Sequence, residues 1–338
     1  MTAQNLGCLK EILTQNHRCV VVSAVGKEHP SDAKTTDLLI AHYNGATVWK
    51  QIEQKYKRLV QVNGVRVDVE KLLFDAKRRS LKNGLAYCMS LGEELSAKIA
   101  AAFLNCAYVE AESCIRFDNR GLQWKETKRN LQSALSGLKI GVVGGFYGGL
   151  ENGRQVFSRG GGDVSGAICA VATGSSLYEN FTDVNGVCTA NPKIVPFAQT
   201  VPSLSYNEMY LLAKNGAEVL HPDAVRFAQR RGVAIRVANY LNANAPSTII
   251  SNCPSGKRFL SATQKQTGEN VVTTVLHTIP WQTLQRYLLQ VFEILQNNAS
   301  ANETLWCKAD GKCVQMCTKH SVLSTVHDVF CKANDDYC

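Results

Sequence analysis

Gly145-Phe-Tyr-Gly148, Phe157-Ser-Arg-Gly-Gly-Gly-Asp163, Tyr178-Glu-Asn-Phe-Thr-Asp-Val-Asn-Gly186 and Asn191-Pro-Lys-Ile-Val195 follow one another in the middle of the chain. Glycine lets backbone come close to a ligand because no Cβ intervenes. Successive backbone N–H groups in such loops make concave anion sites, and a following helix N-terminus adds positive potential. Arg159 offers a planar fork for a carboxylate or phosphate. Asp163 and Asp183 are acids near these loops, where they hold a metal ion or orient a lysine. The stretch therefore reads as a phosphate site beside a small anionic substrate. Neither the G-x-x-x-x-G-K-[ST] pattern nor a complete G-x-G-x-x-G dinucleotide fingerprint is present, and a single Gly-rich loop is more often a plain turn.

Working outward, Cys19-Val-Val-Val-Ser23 and Ile140-Gly-Val-Val143 are short apolar runs that predict buried parallel strands. Ser23-Ala-Val-Gly26-Lys27 is a turn at a strand's carboxyl end, where α/β proteins bind ligands. Thr36 is a candidate N-cap for the helix opened by Asp37-Leu-Leu. Residues 3–15 have helical apolar spacing, and residues 40–115 are expected to be mainly helical. Glu151-Asn-Gly153 predicts a hairpin turn through Asn-Gly, and an Ala-rich helix is expected from about Val164 to Ala172. Ser205 and Glu208 have capping-box spacing for a helix within 201–216, and Val233–Val237 is a strand ending in Asn239. Alternating strands and helices imply an α/β fold, a three-layer αβα sandwich with a mostly parallel sheet. Residues 251–270 are polar and read as a linker. Beyond them a strand (271–276), a helix from Pro280, a hairpin around Asp310-Gly311 and a last helix give a small βαββα module.

The chain has 338 residues, enough for one large or two ordinary domains, and a net charge of +9. The basic clusters at Lys55, Lys57, Arg58 and at Lys77, Arg78, Arg79, Lys82 read as solvated helix faces. Without an aromatic-interleaved basic stripe, nucleic acid is not an expected partner. No apolar run approaches the roughly 20 residues that span a bilayer, so no membrane association is expected. Thirteen scattered cysteines, with no Cys-x-x-Cys pair, fit reduced thiols in a cytoplasmic protein and not a structural zinc site.

The four motifs, together with Ser23-Ala-Val-Gly-Lys27, Thr36-Asp-Leu-Leu39, Ser90-Leu-Gly-Glu93 and Gly216-Ala-Glu-Val-Leu-His-Pro222, resemble in order and spacing the catalytic core of aspartokinases, members of the amino acid kinase family. The resemblance implies transfer of the ATP γ-phosphoryl group to the side-chain carboxylate of L-aspartate. That is the first step towards lysine, threonine and methionine, with Mg²⁺ bridging the phosphates. It implies domains at 1–250 (amino acid kinase) and 271–338 (a shortened ACT-like regulatory module). Ser23, Thr36, Glu93, Arg159, Gly160 and Gly162 are then expected to hold aspartate, with Asp163 and Arg159 catalytic. Thr182, Asp183, Cys188, Lys193 and Glu218 are expected at the nucleotide. Glu93 suits an α-ammonium group, although a first-turn glutamate can also serve a helix dipole. A Ser-x-Gly-Glu motif argues against glutamate or acetylglutamate as acceptor.

The resemblance also has departures. Leu91, Gly162, Cys188, Asn191 and Lys193 stand where the family carries Arg, Ser, Tyr, Asp and Arg. Lys193 keeps the charge but loses the fork. The family's first strand and Lys-Phe-Gly-Gly-Ser-Ser loop would lie ahead of Met1, and losing that lysine is expected to weaken transfer by several kcal/mol. The alternative is a catalytically dead paralogue, acting as a ligand-binding or regulatory subunit. A homodimer, or pairing with a full-length aspartokinase, is the expected assembly.

Overall fold

The computed structural model describes residues 5–13, 16–157, 160–242, 244–252, 260–277, 281–297, 304–310 and 313–335. In chain order the first half contains α1 (Cys8–Ile12), β1 (Cys19–Val22), α2 (Thr35–Tyr43), α3 (Trp49–Val62), α4 (Val69–Ser80), α5 (Leu85–Leu104), β2 (Ala107–Val109) and α6 (Ala111–Cys114). It continues with β3 (Phe117–Asp118), β4 (Gly121–Leu122), α7 (Trp124–Leu135), β5 (Gly141–Gly144), β6 (Tyr147–Leu150), β7 (Gly153–Val156) and α8 (Gly161–Ala172). The chain divides into two units, Met1–Tyr178 and Glu179–Cys338.

In the first unit β1 and β2 flank β5, and both pairings are parallel. Alternation along β1 sorts its side chains. Val20 and Val22 join Val142 of β5 in one core with Leu91, Leu95 and Ile99 of α5 and with Leu38, Ile52 and Leu59 of α2 and α3. Cys19, on the opposite face, meets Cys169 of α8. That thiol contact first, and burial second, hold Cys169 well above the usual thiol range. Helices thus cover both faces of a parallel sheet, the αβα layering expected from alternating strands and helices. Cys8, Cys19, Cys88, Cys106, Cys114, Cys169, Cys188, Cys313 and Cys317 are free thiols.

Several expectations shift here. The helix expected over 3–15 is confined to Cys8–Ile12 among the described residues. Thr36 is not an N-cap: α2 starts at Thr35, after Lys34, which makes no side-chain cap bond. Thr35, which is buried, instead donates its hydroxyl to the carbonyl of Val25. The hairpin turn is Glu151-Asn152, because Gly153 already pairs with Leu150. Helix α8 begins at Gly161, inside the glycine run, three residues before the expected start. Gly160 supplies the left-handed turn at its entry, with φ 86°.

The second unit contains β8 (Leu177–Thr182), β9 (Ser203–Ser205), α9 (Tyr206–Lys214), α10 (Pro222–Gln229), β10 (Ala234–Asn239) and β11 (Thr248–Ser251). The strand order is β8-β10-β11-β9, with β11 and β9 parallel and β10 and β11 antiparallel. The expected capping box is present: Glu208 N donates to Ser205 Oγ at 3.2 Å, and Ser205 N to Glu208 Oε2 at 2.8 Å.

The chain continues with β12 (Leu260–Thr267), β13 (Asn270–His277), α11 (Trp281–Asn297), β14 (Thr304–Asp310), β15 (Cys313–Thr318) and α12 (Leu323–Asp335). The expected βαββα order is therefore preceded by a further strand. Leu260–Thr267, within the span read as linker, pairs antiparallel with β13 and forms one edge of a four-stranded sheet ordered β12-β13-β15-β14. A polar sequence does not prevent this, because an edge strand bonds through its backbone and leaves side chains such as Lys265 and Gln266 exposed. The loop residues 278–280, the turn residues 311–312 and positions 253–259 lie outside the described residues. Among the described residues no helix is long and apolar enough to cross a membrane.

Candidate active site

In the first unit the carboxyl ends of β1 and β5 and the N-terminus of α8 converge. A Cβ at Gly145, just after β5, would lie 3.1 Å from the Cα of Gly162 and 3.1 Å from Val21 Cγ1. A Cβ at Gly162 would lie 3.1 Å from Ser23 Oγ. A side chain at either glycine would therefore be crowded, and the two loops approach one another closely through their missing Cβ atoms. Phe146, between them, adopts φ 75°, rare for a non-glycine residue, and its N–H donates to Ser165 Oγ of α8 at 2.9 Å.

Helix α5 brings Glu93 to this junction. A side chain at Gly144, the last residue of β5, would meet the Glu93 carbonyl oxygen at 3.1 Å. Tyr56 OH donates to Gly92 O at 2.7 Å and steadies the same turn of helix. The Glu93 carboxylate is buried and receives the Ala24 N–H, while its Oε2 has no hydrogen-bond partner among the described residues. Burial, partly opposed by that N–H, raises its pKa to about 7. An ionised carboxylate with a free lone-pair edge in a desolvated position accepts a cationic donor.

Adjacent Glu94 is in the opposite situation. It pairs with Arg79 at 2.8 Å, Lys98 at 2.5 Å and Arg154 at 2.8 Å. Its pKa falls to about 2 because the bonds and charges of these cations outweigh burial, which acts in the other direction. Arg154, from β7, also reaches Glu112 at 2.6 Å, Glu110 at 3.6 Å and Ser90 Oγ at 2.9 Å, with its guanidinium against the rings of Tyr87 and Tyr147. Sequence reasoning missed this cluster entirely. The only signal was a lone arginine in a hairpin three residues before Phe157.

The expected aspartate-binding residues are thus partly assembled. Ser23, Glu93 and Gly162 lie around one junction, and Gly160 and Asp163 sit at the start of α8, where the Asp163 N–H donates to Gly160 O at 3.1 Å. Thr36 is half-buried in the first turn of α2. Arg159 lies outside the described residues. Lys27 is exposed and donates to Pro30 O at 3.0 Å.

In the second unit Thr182 ends β8, and its carbonyl receives the Tyr240 N–H at 3.0 Å. Its hydroxyl donates to Asp183 Oδ1 at 3.2 Å, and Asn239 Nδ2 donates to Asn185 Oδ1 at 2.7 Å. The carboxyl ends of β8 and β10 are thus joined at Thr182, Asp183, Asn185 and Asn239, the sheet end at which α/β proteins bind ligands. Cys188 and Lys193 belong to a separate loop. Cys188 pairs with Thr200 in an isolated antiparallel bridge, and burial raises its thiol pKa. Lys193 is exposed, and its N–H donates to Asn191 Oδ1 at 3.0 Å, closing a turn through Pro192. Glu218 is exposed on the turn after α9. Among the described residues, Thr182 and Asp183 of the expected nucleotide set are joined by a direct side-chain bond.

Residues 5–239 match the model of the amino acid kinase family. Aspartokinase 3 of Bacillus subtilis is 30% identical over 257 residues, covering 68% of this chain and 56% of the relative. The aspartokinase of Chlamydia trachomatis is 29% identical over 280 residues, covering 74% of this chain and 61% of its own. The chain therefore spans little more than half the length of these curated relatives. The crystal structure of Clostridium acetobutylicum aspartate kinase aligns with a TM-score of 0.74 at 26% identity, over 100% of this chain and 80% of that one. Escherichia coli aspartokinase III, solved in complex with aspartate and ADP, shares the fold with a TM-score of 0.65 at 20% identity, over 95% of this chain and 76% of that one. With a family model matched across most of its length and this architecture, the chain belongs to the amino acid kinase family.

Proposed function

We propose that this protein phosphorylates the side-chain carboxylate of L-aspartate with ATP, giving 4-phospho-L-aspartate at the start of lysine, threonine and methionine synthesis. The observation that carries the reading is Glu93, a buried carboxylate with one unpartnered oxygen beside the glycine junction. The α-ammonium of an amino acid supplies the missing donor and, by its charge, favours the ionised form. Ser23, Thr36, Gly160 and Gly162 would line the substrate, and the Arg159 fork would grip a carboxylate. The acceptor carboxylate is ionised at neutral pH, so transfer needs no general base. Catalysis then reduces to positioning and charge neutralisation. Asp163 would organise the phosphates, and Thr182, Asp183, Cys188, Lys193 and Glu218 would contact ATP. Mg²⁺ would accompany the nucleotide as its bridging counter-ion.

We assign residues 1–250 to catalysis and the four-stranded module from 260 onward to an ACT-like regulatory role, in a cytoplasmic homodimer or in association with another aspartokinase chain. The test is aspartate-dependent ADP release in the presence of Mg²⁺. Glu93→Ala is expected to lower kcat/KM for aspartate roughly 10- to 100-fold, the loss of one charged hydrogen bond. A folded sample that binds neither aspartate nor ATP rejects the assignment. Binding of both without turnover selects a ligand-binding or regulatory relative, the reading favoured by Cys188 and Lys193 in place of the family's tyrosine and arginine.

A further inference from the structure

The loop that carries Lys193 is built into the core of the C-terminal module. Its neck is a short antiparallel pair: Thr189 N donates to Gln199 O at 2.8 Å, Gln199 N to Thr189 Oγ1 at 3.0 Å, and Val201 N to Val187 O at 2.8 Å. Residues 190–198 project from this neck. The module grips it on two sides. From β12, Ala262 N donates to Thr189 O at 2.8 Å and Ser261 Oγ to Cys188 O at 3.1 Å. From α12, His327 Nε2 lies 2.9 Å from Thr189 Oγ1, and its ring packs edge-on against Phe197 at 5.6 Å between centroids. Ala190 and Val195 of the loop are buried in the same core as Val275, Leu284, Val314 and Val326.

His327 is thus buried more than a hundred positions from the loop in sequence, yet it touches both the hydroxyl that closes the neck and a ring near the loop's far end. Burial favours its neutral form, which offers one donor and one acceptor. A fully apolar residue would fill that core position without a desolvation cost, so a histidine there calls for a polar task.

We propose that His327 is a positioning residue for the nucleotide-binding loop: it fixes the neck at Thr189 and the arm at Phe197, so that Lys193 meets the nucleotide in one conformation. The proposal rests on the assignment of Lys193 to ATP. It makes β12 and α12 part of the nucleotide site's frame, and it predicts that changes in the C-terminal module register first in nucleotide affinity.

The test uses the full chain with ADP and L-aspartate as separate calorimetric probes, and hydrogen exchange over residues 187–201. His327→Leu is expected to weaken ADP binding roughly 3- to 10-fold, the worth of one buried hydrogen bond, with aspartate affinity unchanged and faster exchange in 190–198. His327→Gln, whose amide reaches the position of Nε2, is expected to restore most of the affinity. Thr189→Val removes the same bond, and with it the Gln199 N–H bond at the neck, without altering α12; it serves if the leucine variant does not fold. Unchanged ADP affinity and exchange in both Leu and Val variants overturn the proposal, as does an equal loss of aspartate and ADP affinity, which marks general destabilisation. If the unaltered chain binds aspartate but not ADP, the nucleotide assignment itself fails and the proposal falls with it.

Discussion

Glu93 and Glu94 are consecutive residues on one buried helix, and they have opposite electrostatic fates. Glu94 is surrounded by Arg79, Lys98 and Arg154 and is held ionised, with its pKa near 2. Glu93, rotated about 100° around the helix axis, has only backbone N–H donors, those of Ala24 and of its own residue, an unpartnered oxygen and a pKa near 7. The first satisfies its charge within the fold and acts as a structural rivet between α5 and the β6–β7 hairpin. The second leaves its charge unsatisfied, which costs stability, and on the proposed function that oxygen would receive the substrate's ammonium. The two adjacent buried acids thus differ in whether the protein itself has paired them.

The largest effect is expected from removing the rivet. Arg154→Met leaves Glu94, Glu110 and Glu112 with less compensation in a buried place, and unfolding in urea is expected to lose about 3–5 kcal/mol. A loss below 1 kcal/mol would mean that the cluster is solvated and the contrast with Glu93 is false.

Next in size is the pH dependence of Glu93. Its folded pKa, about 7, lies above the ordinary 4.5, so the folded chain binds the proton more tightly and is destabilised as pH rises between those values. Integrated over the window, the loss is roughly 3 kcal/mol. Glu93→Gln should remove that slope, measured as unfolding free energy at pH 5 and pH 8. Glu94 has the reverse sign: its depressed pKa stabilises the fold above 4.5, and that contribution is lost as pH falls toward 2. L-aspartate should bind most tightly with Glu93 ionised, so its affinity in the unaltered protein is expected to fall as pH drops below 7. A pH-independent affinity would remove Glu93 from the ammonium's contacts.

The smallest effect is expected from Lys98→Met. This lysine is partly exposed and is one of three cations on Glu94, so its loss should cost about 1 kcal/mol or less. A loss as large as that for Arg154 would shift the centre of the rivet from the hairpin to α5 itself.

Much of the architecture was legible along the chain because its causes are local. The apolar runs 19–22 and 141–143 form strands wherever they find partners, and Ser205 with Glu208 close a capping box within one helical turn. The glycine loops could be picked out for the same reason, whereas Glu93 was marked only by the resemblance of Ser90-Leu-Gly-Glu93 to a family motif. The Arg154 cluster could not, since its partners at 87, 94, 110, 112 and 147 have no common periodicity. The bond of Thr35 to the Val25 carbonyl is made across a loop, and β12 depended on an open edge at β13.

The order of residues alone set most helices and strands, the glycine positions where backbone can come close, and which family's motifs the chain carries, but not strand β12 in the span read as linker. Those features rest on side-chain shape, glycine's missing Cβ and hydrogen bonds a few residues apart. Only the tertiary structure decided which of two neighbouring acids is paired, which polar strand joins a sheet and which histidine braces a loop. Each of those outcomes depends on burial and on partners brought from far along the chain, and burial sets whether a charge or a hydrogen bond is worth fractions of a kcal/mol or several.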